Sequence, residues 1–256
     1  MTPLAQSHLS KLLCGNLYTE NTGEIDEIFL HISETIDKLS IEIQNFLELS
    51  ADRRMLFGPF LGRSILELGT TALIARLDPF RVLLLRGKQK QADYAIDKPH
   101  KSSIRWQGDV MASKVKELWD DKNLDNPTRA LLGDYITNIV LEKSVTSVLD
   151  SSTEEKLGPW YNKIQSYEEG TVILRIRDGY SRLFSSLSKG VHHEMVVPIG
   201  AAYDDNTVNS LINDVLYYLS SLALIVSFVP FAYNRTGEDA FESFKNVQTL
   251  EITHGA

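Results

Sequence analysis

The sequence predicts an all-α fold, arranged as an up-and-down helical bundle, and three observations lead to this prediction. Apolar residues between Ile25 and Leu47 recur at spacings of three and four, which is the period of one helical face. The segment Val215–Asn234 contains twenty residues without a charge, as expected of a helix at the centre of a bundle. Regular hairpin signals are missing, and the best strand candidate, 171–176, continues directly into helix-like spacing.

Length and composition are those of an ordinary globular chain. The 256 residues are 43% hydrophobic and 23% charged, so the chain is long enough to bury a sizeable core and is not a disordered or collagen-like sequence. The formal net charge of −8 argues against a dedicated duplex-DNA binder. It leaves room for a small RNA or a nucleotide at a local basic patch.

The single cysteine and the N-terminus predict a cytoplasmic location. Cys14 has no second cysteine with which to form an intrachain disulfide, which is typical of a reducing compartment. No long apolar run follows a basic start between Met1 and Leu13, so we expect no signal peptide. The sequence also lacks a glycine-rich phosphate loop, a serine nucleophile elbow and an H-E-x-x-H helix. We therefore expect no metal and no cofactor.

The first helical pattern spans 25–49 and has an acidic outer face. Residues 20–48 contain eight carboxylates against one lysine, Lys38, and such a charge run is typical of a solvated face. We expect residues 1–57 to form an N-terminal amphipathic helical extension that packs on the rest of the chain.

The bundle itself is expected to span 58–256. Gly58–Pro59 predicts a turn before a second, mostly apolar helix over 61–77. Asp78–Pro79 then ends that helix and begins a third over 79–85, because aspartate is a good N-cap and proline suits the first helical position.

A polar loop with a basic charge balance follows at 87–108. The stretch Arg76–Arg105 holds eight lysines and arginines against three aspartates, the only basic region in an acidic protein. Two interpretations stay open: a mobile loop that contacts phosphate, or a solvated connector whose charge balances the acidic first helix.

The second half of the chain predicts a further series of helices. They are expected at 109–120, 127–149 after Asn126–Pro127, 159–168, 171–191, 207–228 after the cap residue Asn206, and 239–244.

The uncharged segment Val215–Asn234 has two interpretations. Twenty uncharged, mostly apolar residues are long enough to span a bilayer. Three serines and three tyrosines dilute the segment, Pro230 interrupts it near its end, and no lysine or arginine cluster marks a cytoplasmic side. These features favour a buried central helix over a membrane span.

Two of the predicted helices carry polar side chains where a core helix normally has leucine or isoleucine. Tyr180, Phe184, Ser188 and His192 follow one another at four-residue intervals and are expected to line one helical face. They form either a functional strip that leads to an imidazole or a polar seam that hydrogen-bonds to neighbouring helices.

An ion pair is expected inside the apolar second helix. Arg63 and Glu67 are four residues apart and lie among leucine and isoleucine, where a charge pair is costly unless other elements supply hydrogen-bond partners. Tyr180, Ser188 and His192 are the predicted partners.

These residues resemble the motifs of a known superfamily. The sequence contains an R-x-x-x-E helix (Arg63 to Glu67) and a later Y-x-x-[LF]-x-x-L-S-x-x-V-H helix (Tyr180 to His192). Both are similar to motifs of HEPN-like helical proteins (higher eukaryotes and prokaryotes nucleotide-binding). The similarity is to bacterial branches in particular, which have a Y-x-x-L-S-x-x-V-H helix. The resemblance covers about 58–230, and a dozen positions carry it.

The resemblance implies a metal-independent ribonuclease, or a toxin-type effector, in bacterial defence or stress response. Such proteins act as homodimers with an R-x(4–6)-H motif at the subunit seam. Here nine residues separate Arg182 from His192, and Lys189, three residues before His192, is a weaker candidate cation. We therefore infer that Arg63 replaces the motif arginine. The expected site has His192 as general acid and base, Arg63 as phosphate clamp, Glu67 orienting Arg63, and Tyr180 and Ser188 as hydrogen-bond partners around the phosphate.

Two other classes of function remain alternatives. One is a non-catalytic helical subunit that binds a nucleotide or acts as an antitoxin or scaffold. The other is a membrane-associated component that uses Val215–Asn234. The implied partners are RNA or a nucleotide, a second copy of the chain, and a protein from a defence or toxin–antitoxin system.

Overall fold

The computed structural model describes residues 2–20, 22–92, 94, 140–167, 170–192 and 203–252. Across these ranges the chain is mostly helical and contains no named strand; an isolated antiparallel bridge joins Pro3 to Tyr18. The all-α prediction is therefore confirmed for the described residues.

The α-helices in chain order are α1 His8–Cys14, α2 Glu24–Asn45, α3 Ala51–Leu77, α4 Pro79–Gln89, α5 Glu142–Ser151, α6 Glu154–Leu157, α7 Tyr161–Gln165, α8 Val172–Val191, α9 Asp205–Phe228 and α10 Ala240–Val247. Short 3-10 helices lie at Phe46–Glu48, Gly158–Trp160, Gly237–Asp239 and Gln248–Leu250.

Most of the predicted helices that fall on described residues are present. The helix predicted over 171–191 is α8, and α4 begins at Pro79 as expected. The N-cap of α9 is Asp204, whose side chain accepts from the Thr207 N–H, rather than the predicted Asn206. The predicted helix 109–120, the first part of 127–149 and most of the loop 87–108 lie outside the described residues.

The predicted turn at Gly58–Pro59 is wrong, because α3 begins at Ala51 and continues through both residues. A proline inside a helix removes one backbone hydrogen bond, but here tertiary contacts favour the helix. A Cβ built on Gly58 would lie 2.1 Å from Val208, and one built on Gly190 would lie 2.5 Å from Pro59. The expected boundary after residue 57 therefore falls inside a continuous helix.

Helix α9 forms the centre of the described fold. From Val215 to Val229 every residue except Tyr218 is buried, and the helix packs chiefly against α3 and α8. Helix α9 is long and apolar enough to cross a membrane, but 78% of its apolar window is buried inside the protein. This burial supports the interpretation of Val215–Asn234 as a core helix.

Helices α3, α8 and α9 approach one another closely through glycine. A Cβ built on Gly69 of α3 would lie 2.5 Å from the Leu219 side chain of α9. A Cβ on Gly179 of α8 would lie 2.5 Å from the ring of Tyr218. Larger residues at these positions would separate the helices, so the glycines set the spacing of the core.

The basic residues that follow α3 contact the acidic first turn of α2. Arg86 forms ion pairs with Glu24 and Glu27, and Lys90 lies 3.1 Å from Glu24. These two cations therefore balance acidic side chains of α2, and both interpretations of the basic loop 87–108 stay predictions. The remaining basic residues from 93 to 105 lie outside the described residues.

Candidate functional site at the contact between α3 and α8

Arg63 of α3 donates hydrogen bonds to three acceptors on two helices. Its Nε lies 2.7 Å from Glu67 Oε1, one turn further along α3. Its Nη1 lies 2.6 Å from Ser188 Oγ and 3.1 Å from the Phe184 carbonyl oxygen, both on α8. The predicted ion pair is therefore present, and Ser188 is one of its partners, as expected.

The Arg63 guanidinium lies over the face of the Phe184 ring. The Arg63 Cζ atom lies 3.4 Å from the centroid of the Phe184 ring, a separation at which a cation is attracted to the face of an aromatic ring. The Arg63 side chain is only 16% exposed, whereas Glu67 is 51% exposed. The aromatic support and the three acceptors together hold the guanidinium in one orientation.

His192 lies one turn beyond Ser188, at the end of α8. Its backbone N–H donates to the Ser188 carbonyl oxygen at 2.9 Å, and the residue is exposed. We call Arg63, Glu67, Phe184, Ser188 and His192 the α3–α8 cluster. It combines the fixed Arg63 guanidinium and the Ser188 hydroxyl with an exposed histidine one helical turn further along the chain.

Tyr180 does not belong to this surface cluster. Its side chain is completely buried, and this burial raises its pKa, an effect that the neighbouring Thr70 hydroxyl partly offsets. The reason is geometric: each four-residue step advances a helix by about 40°, so three steps place Tyr180 and His192 about 120° apart. The expected phosphate contact from Tyr180 is therefore not supported.

Arg182 is directed away from Arg63. Its Nη2 lies 2.9 Å from Asp214 Oδ2 of α9, and the side chain is 61% exposed. Arg182 thus joins α8 to α9, whereas Ser188 joins α8 to α3.

A second polar cluster, which the sequence did not reveal, surrounds Lys163 of α7. The Lys163 Nζ atom lies 3.6 Å from the centroid of the Tyr217 ring and 3.8 Å from Asp214 Oδ1. Partial burial lowers the pKa of Lys163. Tyr217 donates from its hydroxyl to the Tyr167 hydroxyl at 3.0 Å. The tyrosines within Val215–Asn234 were the available signal, but nothing in the spacing linked them to Lys163.

The described residues give the α3–α8 cluster no group of metal ligands. Among the described residues no three His, Cys, Asp or Glu side chains are placed to hold a metal ion. An apolar pocket between α5, α8 and α9 is lined by Val145, Val172 and Leu224, among others, and contains no member of the cluster.

Comparison with protein-family models, curated proteins and solved structures gives no match. Over its described residues the chain is a mostly helical protein with a polar cluster at the contact of α3 and α8.

Proposed function

We propose that this chain is a HEPN-like, metal-independent ribonuclease or toxin-type effector that acts in bacterial defence or stress response. One observation carries the proposal: Arg63 contacts Ser188, and the exposed His192 follows one turn later on α8. A histidine can move protons and a fixed arginine can stabilise negative charge, which are the two roles that metal-independent cleavage of RNA would need here. The family resemblance adds the expectation of a homodimer and of a protein partner from a defence or toxin–antitoxin system, and the single cysteine adds that of a cytoplasmic location.

In the proposed reaction the ribose 2′-oxygen attacks the adjacent phosphorus, and the bond from phosphorus to the 5′-oxygen breaks. His192 removes the proton from the 2′-hydroxyl and delivers a proton to the departing 5′-oxygen. Arg63 stabilises the negative charge that grows on the phosphate oxygens. Glu67 and Phe184 keep the guanidinium in place, since they contact its Nε edge and its face.

The test is RNA cleavage in the presence of EDTA by the unmodified chain and by His192→Ala. The proposal expects cleavage by the unmodified chain and its loss in His192→Ala, with unchanged circular dichroism. His31→Ala is the matched control, because His31 is also exposed but lies on α2. Intact cleavage by folded His192→Ala would overturn the assigned role.

A second candidate function is a non-catalytic helical subunit that binds a nucleotide or serves as an antitoxin or scaffold. The observation that favours it is the engagement of Arg63: a carboxylate, a hydroxyl and a carbonyl already accept its hydrogen bonds. In that case the cluster mainly fastens α3 to α8. A melting temperature that rises with nucleotide, together with no RNA cleavage in EDTA, would favour this candidate.

A further inference from the structure

Lys189, three residues before His192, differs from Arg63 and Arg182 in its charge compensation. Arg63 is paired with Glu67 at 2.7 Å, and Arg182 is paired with Asp214 at 2.9 Å. Lys189 lies on α8 directly after Ser188 and is exposed. Within the described parts of the chain Lys189 forms no ion pair, so its charge is uncompensated there.

The C-terminal end of α8 disfavours phosphate binding unless a nearby side chain supplies a positive charge. The carbonyl groups in the last turn of a helix carry partial negative charge, which repels an anion. Lys189 lies in that last turn. It is three residues before His192, so the two side chains emerge on neighbouring parts of the helix surface.

We propose that the Lys189 ammonium contacts the RNA phosphate directly. Arg63, held in a fixed position, stabilises the negative charge on that phosphate. This inference rests on the proposed function and names an additional binding residue of the same site. Arg63 already donates to three acceptors, whereas the Lys189 ammonium has its three N–H donors available among the described residues.

The experiment measures the binding of a fluorescent 2′-O-methyl RNA of about 12 nucleotides in EDTA across a range of salt concentrations. Methylation of the 2′-oxygen removes the attacking group, so binding is measured without cleavage. The variants are Lys189→Gln, Lys189→Arg and the control Lys245→Gln. Lys245 is an exposed lysine on α10 that forms no ion pair with the described residues.

For Lys189→Gln we expect weaker RNA binding. The slope of the logarithm of the binding constant against the logarithm of the salt concentration should become shallower by about 0.7, the value for one phosphate contact on a single strand. Lys189→Arg should leave the slope unchanged because arginine retains the positive charge. Lys245→Gln should also leave it unchanged, because Lys245 lies on α10 and not on α8. An unchanged slope in Lys189→Gln overturns the inference.

Failure of the inference and failure of the proposed reaction give different results. If the unmodified chain binds through Lys189 but cuts no unmethylated RNA, the ribonuclease proposal is wrong and the Lys189 contact stands. If the chain cuts RNA but Lys189→Gln binds RNA normally, the Lys189 contact is wrong and the ribonuclease proposal stands. If the unmodified chain binds no RNA, both are wrong.

Discussion

The Nη1 atom of Arg63 lies 2.6 Å from Ser188 Oγ and fastens the middle of α3 to the last turn of α8. Two other arginines of α3 act in a similar way near its two ends. Arg54 donates to the Leu49 carbonyl oxygen at 2.6 Å and binds a carboxylate at the start of α9. Arg76 donates to a carbonyl of α1 at 3.0 Å. Helix α3 is thus joined to its neighbours by guanidinium groups along its whole length.

Removal of the Ser188 hydroxyl should loosen the α3–α8 contact without unfolding the protein. Ser188→Ala is expected to lower the free energy of unfolding by about 1 kcal/mol, because a hydrogen bond to a charged donor is lost at a partly buried site. Urea denaturation measures this loss. The matched control is Ser185→Ala, since Ser185 is an exposed serine of the same helix. Equal effects in the two variants would contradict the importance of the Arg63 contact.

Arg76 should contribute far more to stability than an exposed arginine. It is completely buried and donates to the carbonyl oxygens of Leu12, Tyr233 and Asn234 and to the Ser227 hydroxyl. Arg76→Met leaves these acceptors unpaired, so we expect a loss of about 3 kcal/mol or more.

The control for Arg76 is Arg53→Met on the same helix, because Arg53 is exposed. Its effect should stay within about 0.5 kcal/mol. If Arg76→Met does not fold, Arg76→Lys provides the measurement, since one ammonium keeps the charge but cannot reach all four acceptors. Wild-type stability in Arg76→Lys would contradict this account.

Two glycine-to-alanine substitutions should have opposite effects. Gly179→Ala should destabilise the protein by about 1–3 kcal/mol, because the new methyl group would meet the Tyr218 ring at 2.5 Å. Gly87→Ala should stabilise it by about 0.5–1 kcal/mol, because Gly87 lies in α4 with nothing within 4 Å of the added Cβ. Thermal or urea unfolding of both variants checks the predicted signs, and two effects of the same sign would contradict the packing described.

Cys14 should make stability fall at alkaline pH. Burial raises its pKa from 9.0 to about 12, so between these values the unfolded chain loses the thiol proton while the folded chain keeps it. The corresponding stabilisation is complete below about pH 9 and is lost as the pH rises toward 12. Urea midpoints between about pH 8 and pH 11 should fall less steeply in Cys14→Ala than in the unmodified chain. Parallel curves would contradict the predicted contribution.

The sequence predicted the contacts that follow from local spacing and charge. Arg63 and Glu67 are four residues apart on a helix, and a cation in an apolar helix requires a partner, so the link to Ser188 could be foreseen. Tyr180 was misplaced because a four-residue spacing drifts around a helix over twelve residues. The Arg63 contact with the Phe184 ring had no local signal, since it depends on how closely α3 and α8 approach.

The helices likewise divide into those that local sequence predicts and those whose bounds depend on tertiary packing. The seven-residue α1 was missed because so short a helix carries little periodicity. The turn expected at Gly58–Pro59 was overridden by packing against Val208 and Gly190. The helical character of 171–191 and 207–228 was predictable because long periodic segments need no tertiary information.

The chemical ends of the RNA fragments test the central proposal most directly. Cleavage by His192 and Arg63 through attack of the 2′-oxygen predicts a 2′,3′-cyclic phosphate on one fragment and a 5′-hydroxyl on the other, formed in EDTA and absent with His192→Ala. Mass spectrometry of the fragments distinguishes these ends. Fragments with a 5′-phosphate and a 3′-hydroxyl, or no fragments from the folded unmodified chain, would contradict the account.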